Sequence, residues 1–262
     1  MDKTRGWYPG HMVATQKTIR ELAPYLTAFV EVVDARAPEA TRHRPLDGWI
    51  GRTPKVVVLN KADLADPRVT QAWLGWYRAQ GMVAVALNAE ANGADGVLRK
   101  RLSAQFASPF RLAVVGLPNL GKSTLLNRMV GTRRVATGAR PGITRGPQWI
   151  RLPGGWEWLD LPGVVTPAKS RDARFKILGV VPYQADESED LAAIAWAFLH
   201  PQGPDVASGE EWLDYGRLRG FLSTGGAIDR QRTAEAILAG FRKGTFGRLS
   251  LERPGTAHDE KP

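Results

Sequence analysis

Cysteine is absent from all 262 residues. Disulfides, thiolate zinc sites and thiol nucleophiles are therefore excluded. Long apolar runs are also missing. The longest, Leu191–Leu199, falls far short of the roughly 20 residues that span a bilayer. The first residues, Met1 to Tyr8, lack the apolar core of a signal peptide, so a soluble, cytoplasmic protein is expected. Acidic residues are in deficit as well, with 26 Asp+Glu against 36 Lys+Arg and a net charge of +10. The deficit is local: residues 1–168 hold 23 Lys/Arg and 12 Asp/Glu, whereas residues 169–262 hold 13 and 14. A basic first part suits a polyanion such as nucleic acid, or simply a solvated basic surface.

What is present centres on Gly116-Leu-Pro-Asn-Leu-Gly-Lys-Ser-Thr124, a fit to G-x-x-x-x-G-K-[ST]. The apolar run Arg111–Val115 before it reads as a buried strand, and Thr124–Val130 after it as a helix. A glycine loop between strand and helix leaves unpaired N–H groups and the helix dipole aimed at one point, which is what phosphates need. Asn119, Leu120, Gly121, Lys122, Ser123 and Thr124 are the candidate phosphate contacts, with the Ser123 hydroxyl available to Mg²⁺.

Upstream, a Gly/aromatic turn over 6–12 leads into a helix from about Val13 to Leu22. Strand-like runs follow at 27–33, 55–59 and 82–87, separated by helices near 69–80 and 94–106. Downstream come a Gly/Arg-rich stretch over 131–147 and strands at 148–152 and 156–159. Such alternation implies an α/β fold whose mostly parallel sheet carries helices on both faces. Beyond about residue 168 only helices are expected. Asp186/Glu189, Ser208/Glu211 and Asp229 read as helix caps, and the tail from Pro254 as disordered. The division expected is an α/β domain carrying the phosphate loop over 1–168, a helical unit over 169–253 and a disordered tail over 254–262.

Asn60-Lys61-Ala62-Asp63 ends the second strand. A carboxylate there can accept from both N1–H and the N2 amino group of guanine, a donor pair that adenine lacks. Asp160-Leu-Pro-Gly163 supplies the opposite end of a nucleotide: Asp160 for Mg²⁺ through water, and the Gly163 N–H for a γ-phosphate. Thr144, in Pro141-Gly-Ile-Thr144, adds a hydroxyl for the metal. In the usual GTPase order the phosphate loop comes first and the guanine signature last. Here the order is reversed, as in a circularly permuted Ras-like P-loop GTPase domain.

Together with Gly6–Met12, Asp34-Ala-Arg-Ala-Pro38, Arg140–Thr144, Gly225–Asp229 and Gly247–Glu252, these motifs resemble the ribosome biogenesis GTPase A family over nearly the whole chain. The resemblance implies a GTPase acting late in large-subunit assembly, with slow intrinsic turnover that the ribosome stimulates. It also implies binding to ribosomal RNA in the GTP state through the helical unit. Val164 stands where small GTPases place a water-orienting glutamine, and the resemblance transfers that role to His11. Asn119 resembles the asparagine of potassium-activated GTPases, which makes it the candidate K⁺ ligand. Asn88-Ala89 occupies the last guanine-contact position, where a backbone N–H can serve but the Ala89 side chain cannot. Arg133, Arg134, Arg140 and Arg145 are candidates for a GTP-ordered RNA surface. Two other classes remain open at this level. One is a GTP-gated RNA-binding scaffold without appreciable hydrolysis, the other a protein adaptor docking through the acidic stretch 186–214. The expected partners are GTP/GDP and the large subunit, with no membrane and a monomeric chain.

Overall fold

The computed structural model describes residues 9–131, 148–152, 154–161, 172–199 and 210–255, with the side chains of 9–14, Gln148 and Asp160 outside that description. Strands β1 (Ala28–Asp34), β2 (Lys55–Asn60), β3 (Val83–Ala86), β4 (Phe110–Val115), β5 (Gln148–Leu152) and β6 (Trp156–Asp160) form one sheet in the order β3-β2-β1-β4-β6-β5. Neighbouring strands pair in parallel except β5, which runs antiparallel to β6 along the edge. Every residue of β1 is buried, as expected for a strand covered on both faces.

Helices cover the sheet as the alternation predicts. On one face α1 (Pro9–Leu22) packs Ile19 with Phe29, Ala113 and Leu159, and α4 (Pro67–Ala79) packs Trp73 and Tyr77 with Val57 and Leu59. The other face takes α5 (Ala94–Gln105) and α6 (Lys122–Val130), through Leu98, Leu102, Leu125 and Leu126. Two short helices, α2 (Pro38–Thr41) and α3 (Pro45–Trp49), fill the connection from β1 to β2. They are too short to leave a readable periodicity.

The last part is helical: α7 (Ala173–Ile177), α8 (Ser188–Leu199), α9 (Trp212–Leu218) and α10 (Arg230–Lys243). Phe175, Trp212, Ile237 and Phe241 join the same apolar cluster as Val30, Leu112 and Leu125, so the core is continuous from sheet to helices. After α10 the segment 247–252 returns to the sheet's carboxyl edge. There the Leu251 N–H donates to Arg36 O (2.7 Å), and Glu252 accepts from Ala40 N.

Several boundaries differ from expectation. The first helix begins at Pro9, not Val13, because proline suits the first turn, where its missing N–H has no partner to lose. The turn expected over 6–12 is thus helical from Pro9 onward. The Asp186/Glu189 cap lies two residues too late. Gln184 N instead donates to Glu187 Oε2 (2.8 Å), ahead of a helix that starts at Ser188. Glu211 stands at the N-cap of α9 without a side-chain bond, and Ser208 lies outside the described residues. Asp229 does cap α10, accepting from Arg232 N at 2.9 Å. Four of the eight acids over 186–214 pair within their own unit: Glu187 with Lys176, Glu189 and Glu210 with Arg230, Asp214 with Arg217.

Candidate nucleotide-binding site

The phosphate loop has the geometry its glycines require. At Gly116 (φ 141°) a Cβ would lie 2.5 Å from Val32 O, and at Gly121 (φ 94°) it would lie 2.2 Å from Asn60 Nδ2. Neither position can carry a side chain without moving its neighbour. Leu117 and Leu120 are fully buried and pin the loop into the core. Gly121 is the N-cap of α6, so Lys122, Ser123 and Thr124 form the first helical turn, at the positive end of the helix dipole. The Lys122 ammonium donates to Leu117 O at 2.8 Å, a carbonyl of the loop itself.

The guanine signature meets this loop directly. Asn60 Nδ2 donates to Leu120 O (2.7 Å), while its Oδ1 accepts from Ala89 N (2.9 Å). One side chain thereby ties the phosphate loop to both base-side segments. The Ala89 N–H expected at the base is engaged by Asn60 here and would have to exchange that partner to meet a purine. Asn88 Oδ1 instead closes a local turn, accepting from Glu90 N at 2.8 Å. Lys61, at φ 58° a rare conformation for a residue with a side chain, donates to Asn119 O at 3.1 Å. Asp63 is exposed, and its carboxylate has no protein partner among the described residues.

A buried ion pair stands behind this corner. Asp34 receives two bonds from Arg36, Nε to Oδ1 at 2.9 Å and Nη2 to Oδ2 at 2.8 Å, with Lys61 Nζ at 3.4 Å. Burial alone would raise the Asp34 carboxyl. The Arg36 and Lys61 charges outweigh it and hold the group below the ordinary carboxylate range. Arg36 also donates to Phe241 O (3.1 Å) near the end of α10. Asp34 and Arg36 belong to a motif visible in the sequence, but their support of Lys61 is not. An acid at the tip of a buried strand is the one signal that points to it.

At the metal side, Asp160 lies at the end of β6 in register with Val114 of β4, which runs into the phosphate loop. Hydroxyl and carboxylate oxygens from Ser123 and Asp160 are hard donors of the kind Mg²⁺ takes, so the residue set fits that ion. Thr144, Gly163 and the four arginines 133, 134, 140 and 145 lie outside the described residues, as do the side chains of His11 and Asp160. His11 itself falls in the first turn of α1. Asn119, at φ 59°, donates its Nδ2 to Gly179 O at 2.9 Å. This orientation reserves the amide oxygen, the atom a monovalent cation would require.

A family model described as "50S ribosome-binding GTPase" matches residues 111–195. That match begins at the phosphate-loop strand and leaves out the guanine signature upstream, as permutation requires. The ribosome biogenesis GTPase A of Thermotoga maritima is 34% identical, covering 95% of this chain and 94% of the relative. That of Priestia megaterium is 32% identical, covering 96% and 97%. Among solved structures, a GDP-bound YlqF superposes with a TM-score of 0.71 at 30% identity, over 90% of this chain and 99% of that one. A GNP-bound YlqF from T. maritima gives 0.69 at 29% identity.

Proposed function

The chain belongs to the ribosome biogenesis GTPase A family, and we propose that it assists late assembly of the large ribosomal subunit as a GTP-dependent RNA-binding switch. It binds guanine nucleotide and hydrolyses GTP to GDP and phosphate. The observation that carries the reading is the meeting of two motifs far apart in sequence. Asn60 and Lys61 of the guanine signature bond the backbone of Leu120 and Asn119 in the phosphate loop, so one nucleotide spans both.

In this reading Asp63 takes the guanine N1–H and amino group, and Lys122 leaves the Leu117 carbonyl for the phosphates. Mg²⁺, when bound by Ser123, Thr144 and Asp160, neutralises charge on the β- and γ-phosphates. Gly163 senses the γ-phosphate, and His11 orients the attacking water in place of the glutamine that Val164 replaces. Asn119 would hold K⁺ through its amide oxygen, and the ion's charge would offset the charge that develops during phosphoryl transfer. Residues 1–168 act as the permuted GTPase domain and 169–253 as the helical unit facing RNA. The arginines between the phosphate loop and Asp160 add basic surface in the GTP state. The protein works as a cytoplasmic monomer. Pairing of half its acids with Lys176, Arg217 and Arg230 makes the stretch 186–214 a weaker docking face for the adaptor alternative.

The test is sedimentation with purified large subunits. Co-sedimentation is expected with a non-hydrolysable GTP analogue and not with GDP. Equal pelleting with analogue, GDP and no nucleotide would overturn the switch.

A further inference from the structure

Three consecutive residues after α10 grip the guanine loop from outside. Arg248 Nη2 donates to Ala62 O (2.9 Å), and its Nε to Ala65 O (3.0 Å). Leu249 N donates to Leu64 O (2.9 Å), and Ser250 Oγ accepts from Asp66 N (3.2 Å). On the inner side the same loop is held by Ala62 N donating to Leu87 O at 3.1 Å. The loop is therefore clamped from both sides, with Asp63 left exposed at its tip. It also needs clamping: Lys61 holds a left-handed backbone at φ 58°, a conformation strained for a residue with a side chain and kept only where neighbours enforce it. Gly244, the C-cap of α10, comes so close that a Cβ there would lie 2.7 Å from Leu64 Cδ2.

We propose that Arg248 is a positioning residue for guanine recognition, fixing the angle at which Asp63 meets the base. The inference rests on the guanine-nucleotide reading above and deepens it, because it makes base selectivity depend on docking of the C-terminal segment. Arginine suits the task since its planar fork spans two carbonyls at once, where a lysine ammonium can serve only one at full strength. Linkage makes the effect reciprocal: a nucleotide that needs the loop in this form must also tighten the clasp on 247–252.

The experiment compares GDP with inosine diphosphate, which lacks the 2-amino group, on wild type, Arg248→Met and Arg248→Lys full-length chains. Arg248→Met keeps the apolar stem and removes the fork. It is expected to weaken GDP about tenfold, mostly through faster release, and to shrink the preference for GDP over inosine diphosphate. Arg248→Lys is expected to recover part of both effects. Wild-type GDP affinity and base preference in Arg248→Met would overturn the inference, as would a loss shared equally by both nucleotides. Should Arg248→Met fail to fold, hydrogen exchange on the wild type decides. GDP must slow exchange of the Leu249 amide, and an unchanged rate overturns the proposal. A wild type that retains no GDP overturns the guanine-nucleotide reading itself, and the inference with it.

Discussion

The phosphate end and the base end of the site are built over different distances. Around the phosphates the braces lie nearer in sequence: Lys122 bonds Leu117 five residues back, while Asn60 and Lys61 reach the Leu120 and Asn119 carbonyls across 60 and 58 residues. Around the base they are remote. Arg36 reaches Phe241, 205 residues away, and Arg248 reaches Ala62 across 186. A remotely braced loop is only as well ordered as the parts that brace it, so base selectivity draws on parts as distant as α10 and the segment after it.

Four measurements would break or sharpen that contrast. Asp63→Asn should cost the most at the base end, weakening GDP by roughly a hundredfold, because a carboxylate accepting two donors is lost. The same variant should gain affinity for xanthosine diphosphate, whose 2-carbonyl can accept from the new amide. Competition titration reads both, and unchanged GDP affinity would remove Asp63 from the base site.

Asp34→Asn should cost about 3 kcal/mol of stability at neutral pH, because it leaves the Arg36 guanidinium buried without its countercharge. Asp34 has its carboxyl depressed in the fold, so its contribution is fully present above the unfolded value of about 3.9 and is lost as pH falls through the folded one. The difference in unfolding free energy between wild type and variant should therefore be widest above pH ~5 and close in stronger acid. A gap independent of pH would assign the loss to packing alone.

Asn60→Ala strands both Leu120 O and the Ala89 N–H, and should destabilise by about 2 kcal/mol in denaturant titration, with weaker GTP binding alongside. The smallest effect belongs to the phosphate end. Exchanging KCl for NaCl at constant ionic strength should slow GTP turnover by about tenfold if Asn119 holds K⁺. Equal rates would leave Asn119 as a turn residue tied to Gly179.

The same difference in distance governs what can be read from the sequence. Gly116, Gly121, Lys122 and Ser123 are legible because their spacing within a short window encodes a backbone shape and a charge position together. The α/β class and the reversed motif order are legible too, since strand runs such as Lys55–Leu59 are apolar on both faces. Strand ends and motif identities place Asn60 at its task, though not the Ala89 N–H that it captures. Arg248 and the Asp34–Arg36 pair escape, because nothing within ten residues of Arg248 marks the loop it holds. The short helices α2 and α3 escape for another reason: four or five residues are too few for a period to show.

The strand order has a consequence for how the protein is made. A ribosome delivers β1, β2 and β3 first, so the base-reading strands can pair while the edge of β1 still awaits β4. Phosphate loop and Mg²⁺ residues follow. Arg36 receives the Phe241 carbonyl only when residue 241 has emerged, and the guanine loop its outer grip only with Arg248. A nascent chain that has not yet reached Arg248 thus carries the guanine motif without its outer brace.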